Sequence, residues 1–328
     1  MKKNIALITG GFTGESVISL KSAAQIEQNL DAAKFEVYKI IISPESWYYE
    51  FNGQVVVVDK NDFSLVVGGK KILFDAVFVG LHGSPGEDGK LQGYFDMLGI
   101  PYTSCDALTS AISMNKGYTK AIVADIPDLY VAKSCQFFAD KAENTTIIEQ
   151  SLKLPYFVKP NNGGSSFGIS KVNQASELPA ALEKAFKEDT QILVEEFISG
   201  REFTIGVFKS KGKITVLPIT EIKTENEFFD YEAKYQGKSK EITPADITTK
   251  MFDTLTAAAQ KVYAILNCRG VVRIDFIYDE AAEKAYMLEV NTVPGQSEAS
   301  VIPQQVKAMG WNLTDFYGWI IEDSLEQK

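Results

Sequence analysis

The sequence predicts an α/β protein that opens on a parallel sheet and continues in antiparallel ones, and three stretches carry that prediction. Residues 4–9 form an apolar strand run ending in Gly10-Gly11, apolar positions from Val17 through Leu20, Ala24 and Ile26 to Leu30 fit a helix, and 35–42 is a second strand. This β–α–β order places parallel strands side by side and a ligand at the first glycine turn. Residues 201–208 and 213–221 alternate as antiparallel strands. Residues 270–277 and 286–292 read as a hairpin with one polar face.

At 328 residues the chain is long enough for two or three domains. A composition of 45% hydrophobic and 23% charged residues is that of a soluble globular protein. The net charge of −10 argues against a general nucleic-acid or anionic-membrane surface, so a phosphate ligand must be held by local cations and backbone N–H groups. No apolar run reaches transmembrane length, and the apolar core of 4–9 is too short for a signal peptide. Cys105, Cys135 and Cys268 are odd in number and widely spaced, which reads as reduced thiols in a cytoplasmic protein. His82 is the only histidine, which excludes a multi-histidine metal site.

Between these landmarks, 47–74 reads as hairpin excursions and 75–81 as a buried strand. That strand leads into His82-Gly83-Ser84-Pro85-Gly86-Glu87-Asp88-Gly89, an exposed loop in the position where open α/β sheets bind ligands. A helix at 91–98 and a short edge strand at 99–102 follow, with a domain boundary near Ser104. Helices are expected at 107–114, 116–124, 147–152 and 176–187, and strands at 130–138, 154–160 and 191–197. The strand 154–160 ends in Lys159-Pro160 and runs into a Gly/Ser loop, 161–168. Such a loop folds N–H and hydroxyl groups over phosphates with the lysine as a point charge, or it is a plain glycine turn. It is not a Walker A loop, and Gly10-Gly11 does not spell a dinucleotide fingerprint. Glu195 and Glu196 suit an adenine amino group or a ribose, and Glu15 a cationic amine; each also fits a solvated carboxylate. Residues 223–240 are polar and aromatic, as in a lid. A long helix spans 247–266, and helices near 303–309 and 315–325 finish the chain.

The hairpin carries the sharpest chemistry. Alternation puts Arg273 and Asp275 on one face, and Glu289 with Asn291 on another that excludes Leu288 and Val290. If the strands pair, three oxygen donors converge without sulfur or imidazole, which suits Mg2+ or Mn2+ carrying nucleotide phosphates. Arg273 suits a developing oxyanion or a transferring phosphoryl group. On spacing alone a hairpin with one solvated face fits equally well.

Taken in order, His82-Gly83 with Gly86-Glu87-Asp88-Gly89, Lys159-Pro160 with 164–168, Tyr231-Glu232-Ala233-Lys234-Tyr235, Arg273-Ile274-Asp275 and 289–295 resemble the ATP-grasp superfamily, and within it the D-alanine–D-alanine ligase family. The resemblance implies a three-domain fold: a Rossmann-like parallel-sheet domain (1–104), a central domain (105–194), and a C-terminal domain (195–328) with the lid 223–240. ATP lies between the antiparallel sheets of the last two. It implies that Lys116, Lys159 and Ser166 meet phosphates, and that Glu195, Glu196, Ile198, Glu202, Phe229 and Lys234 complete the ATP site. Asp275, Glu289 and Asn291 would hold two Mg2+ or Mn2+ ions. Glu15, through Ser165 and Tyr235, would bind the first D-alanine's amine, and His82 would lie by its carboxylate. Arg273 and the N–H of Gly295 would stabilise the tetrahedral oxyanion, and Lys234, Ser300 and Val301 would receive the second D-alanine. A homodimer, a role in peptidoglycan precursor synthesis, and neither nucleic-acid nor membrane partners are also implied. An ATP-grasp ligase using D-lactate or D-serine, or a non-catalytic nucleotide-binding regulator, are the rival readings.

Overall fold

The structure is a computed structural model that describes residues 2–139, 146–164, 167–224 and 239–326. Its N-terminal sheet has five strands in the order β4-β3-β2-β1-β7: β1 (Lys3–Gly10), β2 (Phe35–Ile42), β3 (Trp47–Phe51), β4 (Gln54–Val57) and β7 (Ala76–Val79). A small hairpin, β5 (Leu65–Val67) and β6 (Lys70–Ile72), stands beside it. β1 pairs in parallel with both β2 and β7, and Ile5, Ala6, Leu7 and Ile8 are fully buried. An unbroken apolar run is what a parallel strand covered on both faces requires. One face packs against α1 (Ser16–Asn29) and, from the far end of the chain, Phe316, Tyr317, Ile320 and Ile321. The other face is filled by Phe63, Leu65 and Phe95.

Helix α1 forms where expected, but its buried face is not its apolar one. Ser19, Ser22, Ala23 and Ile26 point inward, whereas Val17 and Leu20 are exposed. The inward serines find buried hydrogen-bond partners in the loop after β7, which makes a polar face the better buried one.

Helices α2 (Lys90–Leu98), α3 (Ala107–Met114) and α4 (Lys116–Val123) lead to a four-stranded antiparallel sheet in the order β10-β9-β11-β8. Its strands are β8 (Ser134–Phe138), β9 (Tyr156–Pro160), β10 (Ser170–Val172) and β11 (Gln191–Glu196), with α5 (Thr146–Ser151) and α6 (Leu178–Phe186). The strand expected at 130–138 is shorter, because Tyr130 makes only an isolated bridge to Tyr286. The edge strand expected at 99–102 is likewise a single bridge, Val77 to Tyr102.

The third sheet has six strands: β15-β14-β12-β16-β17, with β13 paired to β12. They are β12 (Arg201–Ser210), β13 (Lys213–Val216), β14 (Thr220–Thr224), β15 (Ser239–Ile242), β16 (Val271–Asp279) and β17 (Lys284–Asn291). The single strand expected at 213–221 is split in two at Pro218, which has no N–H for a ladder. Helix α7 (Thr249–Ile265) starts at Thr248, whose side chain accepts from Met251 N, and lays Met251, Leu255, Ala258, Ala259 and Val262 on the sheet's apolar face. The last helices are α8 (Val301–Ala308) and α9 (Leu313–Glu326). Among the described residues no helix is long and apolar enough to cross a membrane.

Candidate active site

The free face of the six-stranded sheet floors a cavity of about 1170 Å³, large enough for a nucleotide with small co-substrates. Register decides which side chains reach it. β16 and β17 pair with Arg273 opposite Asn291 and Asp275 opposite Glu289, and β12 brings Thr204 opposite Asp275. The four hairpin residues therefore do converge. Arg273 grips Asp275 through two bonds, Nε to Oδ1 at 2.9 Å and Nη2 to Oδ2 at 2.8 Å. Thr204 Oγ1 donates to Asp275 Oδ1 at 2.6 Å, and Asn291 Nδ2 lies 3.4 Å from Oδ2. Burial works against the charged guanidinium, yet Asp275, with Glu289 and Glu87 behind it, holds the Arg273 pKa above its usual value.

One part of the hairpin differs from simple alternation. Pairing slips between Asp275 and Phe276, so that Phe276 faces Met287 and Leu288 becomes an extra residue. Leu288 consequently joins Glu289 on the ligand side instead of opposing it, and lines a smaller pocket of about 150 Å³. That pocket continues the main one. Phe157, Ile169, Ile198, Ile277 and Leu288 give it apolar walls, and Glu195, Glu196 and Glu202 stand at its margin. Flat apolar walls with polar edges suit a nucleobase.

Glu195 is reached from two sides. Strand β11 places it diagonally across from Lys159 on β9, whose Nζ lies 2.7 Å from Oε1, while Lys120 on α4 meets Oε2 and Ser134. Burial alone would raise the Glu195 carboxyl, but Lys159 and Lys120 together hold it low. Burial lowers Lys120 despite the same pairing. Glu196 instead accepts from Lys133 N at 2.7 Å. Lys116 begins α4, donates to Gly163 O at 2.5 Å, and stands 3.4 Å from Glu289 Oε2, which ties the glycine loop to the hairpin.

Glu15 stands at the N-terminus of α1 on the cavity wall, with Gly83 and Gly164 packed around its carboxylate. A Cβ at Gly83, where φ is +67°, would meet Glu15 Oε2 at 2.6 Å. His82 is not exposed as its loop position suggested: it is 6% accessible, with Nδ1 2.7 Å from Val293 O and Nε2 2.8 Å from Ser22 Oγ. Burial lowers its pKa, so the ring is neutral. Glu87 accepts from Gly83 N at 2.7 Å and Val293 N at 3.1 Å. Burial and the nearby Glu15 push its carboxyl up to about 8. Gly295, Ser300 and Val301 line the same cavity, with Ser300 Oγ 2.7 Å from Ser297 Oγ. Glu241 on β15 completes that end, held by Gln304 Nε2 at 2.7 Å.

Ser165, Ser166, Phe229, Lys234, Tyr235 and most of the expected lid lie outside the described residues. Thr204, Glu87 and Glu241 line the cavity, and Lys120 and Ser22 bond residues that do, although the sequence assigns none of the five a role. Glu87 lies within the quoted glycine motif, but nothing in spacing marks the other four.

Two family models cover nearly all of the chain: "D-ala D-ala ligase N-terminus" over residues 4–105 and "D-ala D-ala ligase C-terminus" over 121–322. A D-alanine–D-alanine ligase of Flavobacterium johnsoniae is 45% identical over 98% of this chain and 99% of its own length. That of Parabacteroides distasonis is 43% identical over 100% and 99%. Among solved structures, the VanG D-Ala:D-Ser ligase of Enterococcus faecalis matches with a TM-score of 0.88 at 34% identity, covering 98% and 99%. The Bacillus anthracis D-alanine–D-alanine ligase complexed with ATP matches with 0.79 at 28% identity, covering 99% and 98%. The arrangement of sheets around the cavity is the ATP-grasp fold. The chain belongs to the D-alanine–D-alanine ligase family.

Proposed function

We propose that this protein joins two D-alanines into D-alanyl-D-alanine at the expense of ATP, releasing ADP and phosphate, to supply peptidoglycan synthesis. The observation that carries the reading is the register of β16 against β17: it sets a guanidinium, two carboxylates and an amide on the floor of one cavity, with Lys116 alongside. A mere nucleotide binder needs no cation beside a reacting carbonyl.

ATP lies with its base in the apolar slot beside Ile198 and Leu288, its ribose at Glu202, and its phosphates at Lys116 and Lys159. The donor set Asp275, Glu289 and Asn291 offers oxygen alone, two carboxylates and an amide on the cavity floor. That fits Mg2+ or Mn2+, which take one or two carboxylates and let substrate phosphates fill the remaining positions. Asp275, Glu289 and Asn291 would hold two such ions, which would supply charge neutralisation at the transferring phosphoryl group. Glu15, supported by Ser165 and Tyr235 as the family resemblance implies, receives the amine of the first D-alanine. The carboxylate of that substrate attacks the γ-phosphorus to give an acyl phosphate, as the bond to the β,γ-bridging oxygen breaks and ADP leaves with its electron pair. The second amine, placed by Lys234, Ser300 and Val301, then attacks the carbonyl, and phosphate leaves with the electron pair of the broken C–O bond. Arg273 and Gly295 N–H hold the oxyanion. The three-domain division at 104 and 194, and a homodimer, complete the proposal.

The test is phosphate release from Mg-ATP with D-alanine, L-alanine, D-serine or D-lactate added, with the product weighed by mass spectrometry. D-alanine-dependent release with a dipeptide mass is the expected result. A depsipeptide or mixed product would move the reading to another acceptor, and ATP binding without release to the regulatory role.

A further inference from the structure

The turn that carries Gly295 is pinned from the opposite end of the chain. Val293 N donates to Glu87, Val293 O accepts from His82 Nδ1, and Gln296 N donates to Ser22 Oγ at 3.1 Å. Gly295 thus sits between two anchored residues, and every one of these anchors comes from the N-terminal sheet's own helix or loop. None of the three has a role in the reading above that explains the arrangement.

Ser22 is the joint. A carbonyl can only accept, so His82 Nδ1 carries the proton bonded to Val293 O. In a neutral ring Nε2 is then a lone pair, and the Ser22 hydroxyl must donate to it across 2.8 Å. That leaves a Ser22 lone pair for the N–H of Gln296. Each link has one permitted direction, and removing the hydroxyl strands two buried partners at once. Ser22 is fully buried and His82 N is itself held by Ser19 Oγ at 2.9 Å, so neither group can turn to water instead.

We propose that Ser22 is a positioning residue for the ligation: through His82 and Gln296 it fixes the 293–296 turn so that Gly295 N–H faces the reacting carbonyl beside Arg273. This rests on the reading of Gly295 and Arg273 as oxyanion donors. It also gives His82, which lines the cavity, a positioning task, since both ring nitrogens are engaged within the protein.

The test compares wild-type enzyme with Ser22→Ala and Ser22→Cys, using Mg-ATP, D-alanine and a tetrahedral phosphinate analogue of the intermediate. Ser22→Ala is expected to lower kcat about 10- to 100-fold, as small misplacements do, with KM for ATP little changed. Affinity for the analogue should fall by a similar factor while D-alanine affinity holds. Ser22→Cys, a weaker donor of similar shape, should fall between the two and serves if alanine prevents folding. A variant that folds and keeps wild-type kcat overturns the proposal, as does equal loss of affinity for analogue and substrate. If the wild-type enzyme binds the analogue no more tightly than D-alanine, the oxyanion reading itself falls, whatever the variants do.

Discussion

Two charge clusters face the same pocket from two different sheets, and they are built for opposite ends. Around Glu195, Lys120 and Lys159 are almost sealed, with side-chain exposures of 8, 5 and 11%, and each carboxylate oxygen has its own ammonium. Around Asp275, itself 11% exposed, Arg273 and Glu289 keep 23 and 25% of their side chains open. A sealed cluster has spent its capacity on itself, and removing one partner leaves an uncompensated buried charge. An open one keeps donors and lone pairs for a ligand. Lys159 stands between the two regimes, since it grips Glu195 while lining the smaller pocket.

The comparison predicts where mutations strike. Glu195→Gln should be the most damaging to the fold, costing about 3–5 kcal/mol because two buried lysines lose their carboxylate; denaturant unfolding measures it, and a loss under 1 kcal/mol would break the contrast. Arg273→Gln should instead slow turnover about 10²–10³-fold, equivalent to about 2.7–4 kcal/mol of transition-state stabilisation. Its unfolding free energy should change less than that of Glu195→Gln. Glu289→Gln should likewise cripple phosphate release with the melting temperature nearly kept, and near-normal turnover would refute the metal assignment. Thr204→Val sharpens the picture at intermediate scale: it removes the 2.6 Å bond to Asp275, and a hydrogen bond to a charged group is worth about 1.5–3 kcal/mol.

The last effect is one of pH. Glu87 ionises near 8 in the folded protein against an ordinary 4.5, so folding favours its protonated form. The stability it contributes is complete below 4.5 and is lost as the pH rises through about 8. Melting temperatures of wild type should therefore decline across that window relative to Glu87→Gln. Parallel curves for the two proteins would show that Glu87 does not titrate there.

Much of this was legible in the sequence because it rests on local periodicity. The buried β1 run, the α7 stripe and the polar hairpin face all follow from spacings of two or of three and four. The converging residues of β16 and β17 were readable for the same reason. What escaped depends on partners distant in the chain. The serine face of α1 looks wrong by hydropathy until the His82 loop, about sixty positions on, supplies its hydrogen bonds. Lys120 reads as an ordinary helix lysine until Glu195 arrives from β11. His82 sits in a glycine-rich loop of the kind that is generally exposed, but helix α1 and the 293–296 turn close over it from two sides. Pro218 was a local signal, and its missing N–H does divide β13 from β14.

The slip in pairing at Asp275 has an evolutionary reading. Because Leu288 is an extra residue, the two halves of β17 are out of phase: Met287 fits the core by one count, and Glu289 with Asn291 fit the ligand face by the next. A deletion of one codon at that point would force a choice, because the shorter strand could keep its packing or its chemistry but not both. This hairpin should therefore tolerate exchange of side chains far more readily than change of length, and among functional descendants its residue count should be the last thing to vary.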